Sequence, residues 1–337
     1  MLRRHPADFE VEELPAFVPD GQGEHAFLWV QKTGANTEWV ARQLAAAAGV
    51  APAAIGFAGL KDRHAITRQA FSVHLPGRAG PDWGALGIAG VEVLSATRHS
   101  RKLKRGAHRG NRFRIRLREA SGDRAAFEAR IAALRTFGAP NYFGEQRFGH
   151  GGGNLALARA LFGGKRLART QRGMALSAAR SSLFNAVLAA RVADGSWDRA
   201  LEGEVWMLRG THAVFGPEPL DDALRGRLES LDIHPTGPLW GAGSLRSEGV
   251  VRALEAAVAA RSEGLAQRLE QAGLTHERRA LRLVVDDLQF AWEGGDAVLA
   301  FSLEAGAYAT AVLREACEWE AGGATCDEAC EARDQHA

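Results

Sequence analysis

At 337 residues, with 46% hydrophobic and 24% charged positions, the chain has room for one large interrupted domain or two domains, and its balance excludes a disordered or fibrous class. Net charge is only +2, from 42 basic and 40 acidic side chains, so the distribution of charge matters more than its sum. Three cysteines, Cys317, Cys326 and Cys330, exclude a disulfide framework and leave a metal site unsupported.

The N-terminus carries Asp8, Glu10, Glu12 and Glu13 where a secretory signal needs an apolar run, so a cytoplasmic location is expected. HAFLWVQK at 25–32 has the aromatic and β-branched content of a strand, after which Asn36 or Thr37 can cap a helix that stops at Gly49. AIGFAGLKDRHAITRQAFSVHL at 54–75 reads as a strand, a Gly-bounded loop holding Lys61, Asp62 and Arg63, and a second strand from about Gln69. From Arg98 to Arg118 ten of 21 positions are Lys or Arg and none is acidic, the footprint of an anionic polymer ligand. Within that run Asn111 to Arg118 alternates, with Phe113, Ile115 and Leu117 on one face and Arg112, Arg114, Arg116 and Arg118 on the other.

A helix over 123–137 leads into APNYFGEQRFGHGGGN, whose glycines predict an aromatic loop. Helical patterns follow around 155–162, 176–193 and 249–272, separated by connections such as GPEPL and HPTGPLWGAG. LRLVVDDLQFAW and AVLAFSLEA then flank Gly294-Gly295 as a hairpin, and a last helix starts near Ala309. The pattern predicts an α+β catalytic domain interrupted by an α-rich insertion. The first catalytic part spans 1–153, the insertion 154–275, the second catalytic part 276–320 and an acidic tail 321–337.

Several common chemistries find no support. HGGG at 150–153 has no accompanying G-x-S-x-G, Gly164-Lys165 is followed by Arg166 where a P-loop needs Ser or Thr, GAGSLR at 241–246 lacks a third Gly, and there is no HExxH. No nucleotide cofactor and no metal is therefore expected.

Four long segments carry the chemistry: GFAGLKDRHAITRQ (56–69), PNYFGEQRFG (140–149), SAARSSLFNAVLAARV (177–192) and GAYATAVLRE (306–315). In this order they resemble the tRNA pseudouridine synthase D family, and the resemblance runs from ADFEVEE at 7–13 through TGPLWG at 236–241 to the last helix. It implies a pseudouridine synthase catalytic domain with a mixed, largely antiparallel sheet and a family module inserted after NYFGEQRFG. It also implies isomerisation of a uridine in the D-stem region of tRNA, position 13 in bacterial members, without metal or nucleotide. The catalytic aspartate falls on Asp62, the uridine-pocket residues on Asn141 and Phe143, the ring contact of the N-terminal motif on Phe9, and an aromatic position on Tyr308. This chain departs from the family in having Tyr308 where Phe is common and Arg3 and Arg4 where Lys is usual.

The reaction breaks an N-glycosidic bond, turns the uracil and rejoins it through carbon 5. Asp62 could serve by attacking the ribose, by adding to the uracil, or by removing a ribose proton. The target must be flipped from the RNA, at a cost of about a few kcal/mol offset by stacking, for which Phe9, Phe143 and Tyr308 are the candidate faces. Lys61, Arg63 and Arg147 are the candidate counter-cations. Lys102, Lys104, Arg105, Arg112, Arg114 and Arg116 are the expected phosphate contacts, with a second set at Lys165, Arg166, Arg169 and Arg172. The expected partner is tRNA, with no membrane and with a monomer favoured. Two other readings are a non-catalytic tRNA-binding protein and a glycosidase-like hydrolase pairing Asp62 with Glu145, which would release free uracil.

Overall fold

The computed structural model describes residues 1–262 and 264–318. The expected acidic tail at 321–337, with Cys326 and Cys330, lies outside them. In chain order the elements begin β1 (Phe9–Pro15), β2 (His25–Thr33), α1 (Thr37–Ala48), β3 (Ile55–Phe57), β4 (Ile66–His74), β5 (Val91–His99), β6 (His108–Leu117) and α2 (Arg124–Phe137). They continue with β7 (Ala139–Pro140), α3 (Gly153–Phe162), α4 (Arg169–Ala193), β8 (Trp206–Leu208), β9 (Val214–Phe215), α5 (Asp222–Glu229) and β10 (Ile233–Leu239). The last are α6 (Gly249–Ala260), α7 (Leu265–Gln271), β11 (Glu277–Ala280), β12 (Arg282–Leu283), β13 (Asp286–Glu293), β14 (Asp296–Glu304) and α8 (Ala309–Ala316).

Two compact units result, one from Met1–Ala126 with Asp286–Ala305 and one from Phe127–Val285 with Gly306–Cys317. Their limits differ from the module limits expected at 154 and 275. In particular, Asn141 and Phe143 belong to the second unit. The run LRLVVDDLQFAW also divides, because β12 pairs with β7 in the second unit while β13 joins the first.

The first unit is a mixed sheet in the order β13-β14-β6-β1-β4-β2-β5, with β3 beside β4. Only β1 and β4 run parallel; the other pairs are antiparallel. Alternation does what the period of two requires: in β6 Phe113, Ile115 and Leu117 are buried while the arginines between them reach solvent. Helix α1 places Val40, Leu44 and Ala45 on one stripe against Leu28, Val30, Phe71 and Val73 of the sheet. It ends at Gly49, whose φ of 61° is the left-handed stop that glycine adopts at little cost.

Two local features differ from expectation. Asn36 is the N-cap residue of α1 but its side chain caps nothing, and Thr37 is turned to another use described below. Strand β4 starts at Ile66 rather than Gln69, because pairing with β1 and β2 extends it toward the loop.

The second unit is less purely helical than its composition predicts. Helices α3, α4, α6 and α7 pack around Ala175, Ala179, Leu183, Trp240 and Leu269, but a sheet β11-β10-β8-β9 stands beside them. HPTGPLWGAG, expected as a connection, contains most of β10. The strand accommodates Pro235 and Pro238 because side chains replace ladder partners around them: the Thr236 N–H donates to Glu204 Oε1 at 3.4 Å, and Arg278 Nη2 donates to the Thr236 carbonyl at 2.7 Å.

Candidate active site

The loop between β3 and β4 is fastened from several directions. The Lys61 backbone N–H donates to Thr37 Oγ1 at 2.9 Å, the Thr37 hydroxyl lies 2.9 Å from Gln69 Oε1, and Gln69 Nε2 donates to the Gly59 carbonyl at 3.1 Å. Thr37 and Gln69 are therefore polar residues buried for the loop and not for the helix or strand that carries them. Lys61 Nζ forms a buried ion pair with Glu13 Oε2 at 2.7 Å. Arg63 donates through Nε to the Gly34 carbonyl at 3.1 Å, and the Gly34 N–H donates to the Arg63 carbonyl at 3.1 Å.

Lys32 lies beneath Asp62 with no exposed surface. Its ammonium donates to the Asp62 carbonyl at 2.8 Å and to the Lys61 carbonyl at 3.4 Å. Burial pushes this lysine down from 10.5 to about 8, a shift that the Asp62 carboxylate partly opposes.

The Asp62 carboxylate sits at the top of this arrangement, 16% exposed. Oδ1 accepts the His64 N–H at 3.0 Å, and Oδ2 meets Arg3 Nη1 at 2.8 Å. None of the three expected counter-cations fills that place. Lys61 is committed to Glu13, Arg63 to Gly34, and Arg147 donates to Ser177 Oγ at 2.7 Å in the other unit. Arg3 also lies over the Phe9 ring, 4.1 Å from its centroid. Phe9 is 3% exposed, with its ring set edge-to-face on Phe113 at 6.2 Å. The structure thus brings Asp62 and Phe9 together through one guanidinium, which covers a face of the Phe9 ring. A recess of about 540 Å³ beside the same loop is lined by Thr33, Trp39, Arg42, Leu60, Lys61 and Arg63, among others, but not by Asp62.

The second cluster belongs to the other unit. Asn141, 2% exposed, donates through Nδ2 to the Ala280 carbonyl at 2.9 Å and accepts at Oδ1 from Arg279 Nη2 at 2.6 Å. The Arg279 guanidinium lies 4.1 Å from the centroid of the Phe143 ring. Phe143 packs edge-to-face on Phe184 at 5.5 Å and on Tyr308 at 6.3 Å, while its backbone exchanges two hydrogen bonds with the Asn185 side chain. The packing leaves little room for a side chain at Gly144. A Cβ there would stand 3.0 Å from Thr310 Oγ1 and 3.2 Å from Tyr308 Cδ1. Among the described residues the Tyr308 hydroxyl has no hydrogen-bond partner. Arg279, which joins Asn141 to Phe143, carried no signal in the sequence, because ERRALRL reads as an ordinary basic strand.

The expected phosphate contacts fare unequally. Across the sheet Arg112 faces Glu12 at 3.5 Å, and Arg114 faces Glu10 at 3.3 Å and Glu293 at 3.8 Å. Arg116 pairs with Glu293 and with Asp296, the latter at 2.9 Å. This face of β6 is a ladder of ion pairs, not a row of free cations. Lys102 donates to the Ala53 carbonyl, and Arg105 lies 3.8 Å over the Phe57 ring and 3.5 Å from Glu38. Lys104 is exposed and makes no ion pair among the described residues. Glu145, the second carboxylate of the hydrolase reading, is exposed on a short helical turn of the second unit.

The fold has a counterpart of known structure. The crystal structure of the putative tRNA pseudouridine synthase D from Methanosarcina mazei aligns with a TM-score of 0.73 at 21% identity, covering 93% of this chain and 92% of that one, which shows the fold to be that of a pseudouridine synthase. The family model described as tRNA pseudouridine synthase D (TruD) matches residues 1–160 and 156–316. The tRNA pseudouridine synthase D of Xanthomonas euvesicatoria is 52% identical over 342 residues, covering 96% of this chain and 91% of that one. That of Methylococcus capsulatus is 52% identical over 325 residues, covering 96% and 92%. The chain belongs to the tRNA pseudouridine synthase D family.

Proposed function

We propose that the protein, as a tRNA pseudouridine synthase of this family, converts a uridine in the D-stem region of tRNA, position 13 in bacterial members, to pseudouridine with Asp62 as its catalytic group. The observation that carries this reading is a carboxylate on a loop fixed at both flanks and from below, with its countercharge supplied by Arg3. Such fixation is what a positioned general base or nucleophile needs, since misplacement by about 1 Å can cost on the order of a hundredfold in rate.

The reaction is an isomerisation. The N1–C1′ bond breaks, the uracil turns, and a C1′–C5 bond forms, with the proton of carbon 5 lost and one gained at N1. Removal of the ribose C2′ proton by Asp62 as the uracil leaves, giving a glycal, with that proton returned to C2′ when C1′ bonds to C5, is the route we favour, on the family's example. Asn141 and Phe143 are assigned to the uracil, Asn141 through its amide and Phe143 through its ring, and Tyr308 packs with Phe143. Phe9 enters as a stacking surface if Arg3 moves off its ring. The protein acts without metal or nucleotide, in the cytoplasm and as a monomer.

Asp62→Asn keeps the size of the side chain and its hydrogen-bonding reach while removing the charge. It should abolish pseudouridine formation in unmodified tRNA transcript and leave tRNA affinity within a few-fold, because the lost group acts in the chemical step. Turnover comparable to the wild type would sink the carboxylate mechanism. Release of free uracil in the same assay would instead favour a hydrolase.

A further inference from the structure

Forty acidic residues are spread over the 337 positions, yet residues 146–193 contain none of them. The cations of that stretch divide into two kinds. Arg147 donates to Ser177, Arg180 pairs with Glu277 at 3.1 Å, and Arg191 is buried against Glu204 at 2.9 Å. Arg159, Lys165, Arg166, Arg169 and Arg172 are exposed and make no ion pair among the described residues.

These five cations lie on contiguous backbone. Arg159 is in the last turn of α3, Lys165 and Arg166 follow the Gly163-Gly164 turn, and Arg169 and Arg172 occupy the first turn of α4. The turn is tied back by hydrogen bonds from Gly163 N–H to the Arg159 carbonyl and from Lys165 N–H to the Ala160 carbonyl. Arg172 donates to the Ala272 carbonyl at 3.3 Å, and Arg268 of α7 to the Phe162 carbonyl. Arg268, likewise exposed and outside any ion pair among the described residues, therefore joins the same surface.

The placement runs against what an isolated surface favours. The start of a 25-residue helix carries partial positive charge, and α4 has no acidic residue in its first turn and no side-chain cap. Cations there repel the helix terminus and one another, and no carboxylate among the described residues pairs with them. A polyanion would relieve both. On β6, by contrast, the same residue type already has its carboxylates.

We infer that Arg159, Lys165, Arg166, Arg169, Arg172 and Arg268 form the surface that grips the phosphate backbone of the RNA substrate, a task that the sequence pattern assigns first to the 98–118 run and only second to Lys165, Arg166, Arg169 and Arg172. The inference rests on tRNA being the substrate. Phosphate contacts position the RNA and supply affinity without reading its sequence, so this surface acts on binding and not on the chemical step at Asp62.

The experiment compares two variants against wild type with unmodified tRNA transcript over a range of KCl concentrations. One is K165Q/R166Q/R169Q/R172Q, and the other is R112Q/R114Q/R116Q. The first should bind tenfold or more weakly near 0.1 M salt and lose roughly three to four units of the log-log salt slope, at about 0.7 to 0.9 for each of four phosphate contacts. Its single-turnover rate at saturating tRNA should match the wild type. The second should keep the wild-type slope. Arg169→Glu alone, at an exposed position with an acidic residue favoured by the helix terminus, should also weaken binding and guards against a folding defect in the fourfold variant. A wild-type salt slope in the fourfold variant, or a loss of slope confined to the β6 variant, overturns the inference. Pseudouridine formation by the wild type is scored separately, so failure of the binding surface and failure of the functional reading give different results.

Discussion

At the scale of single residues, Lys32 shows how the carboxylate proposed for catalysis is held by something other than its own partners. Both carbonyls flanking the Lys61–Asp62 peptide accept from one buried ammonium, so the loop is anchored through its backbone while the Asp62 side chain stays at the surface. Keeping a charge there is costly. The folded protein releases this proton at about pH 8, whereas the unfolded chain holds it to about 10.5. Between those values the unfolded state binds one proton more, so this group makes stability rise with pH; below pH 8 both states are protonated and the full burial cost, of the order of 3 kcal/mol, is present. Lys32→Met removes that dependence. The unfolding free energy of wild type minus that of Lys32→Met should therefore shift in favour of wild type by up to about 3 kcal/mol from pH 7 to pH 10, read from urea melts at several pH values. A constant difference would mean that the ammonium is not buried as a charge. Turnover by Lys32→Met should fall tenfold or more, because the loop loses its donors. The loop that carries Asp62 was legible in the sequence, and Arg3 was legible as a departure from the family's usual Lys, but the pairing of Arg3 with Asp62 and the contacts of Lys32 and Arg279 were not. Each works through a partner far away in sequence, and a lone basic residue in a strand or near a terminus gives no sign of what it will face.

At the scale of elements, β6 is where composition and structure part. Its alternation predicted one apolar and one guanidinium face, and that is what forms. The partners of the guanidinium face could not be read, because Glu10 and Glu12 come from β1 while Glu293 and Asp296 come from the β13–β14 hairpin. A sequence run that looks like excess positive charge becomes nearly balanced once three other strands are laid beside it. Loops and prolines misled in the opposite direction, since β10 looked like a connection until Glu204 and Arg278 supplied its missing polar partners. The ladder should contribute unequally to stability. Arg116, 20% exposed and meeting two carboxylates, should lower the urea midpoint more when changed to Gln than Arg112, which is 56% exposed and meets one at 3.5 Å. Salt near 1 M should shrink the gap. Equal midpoints for the two variants would show that the pairs are only surface decoration.

At the scale of the whole molecule, the sheet of the first unit is assembled from two distant stretches of chain. β1 to β6 are complete by Leu117, but β14, which covers the open side of β6, begins at Asp296. At about 5 to 20 residues per second of synthesis, that leaves an interval on the order of ten to forty seconds in which β6 has a neighbour on one side only. An unpaired strand with Phe113, Ile115 and Leu117 on one face is a template for pairing with another nascent copy. A chain ending at Val285 keeps that edge open permanently. It should partition mainly to the pellet on expression, and replacing Arg112, Arg114 and Arg116 by Thr should drive it there further. A soluble, monomeric truncated chain, indifferent to those replacements, would refute this. During synthesis Glu293 and Asp296 do not yet exist, and Arg114 and Arg116 stand without those partners. For that interval Arg112 and Arg114 keep Glu12 and Glu10 of β1, and Arg116 is left as the uncompensated charge whose repulsion works against the pairing of unfinished chains.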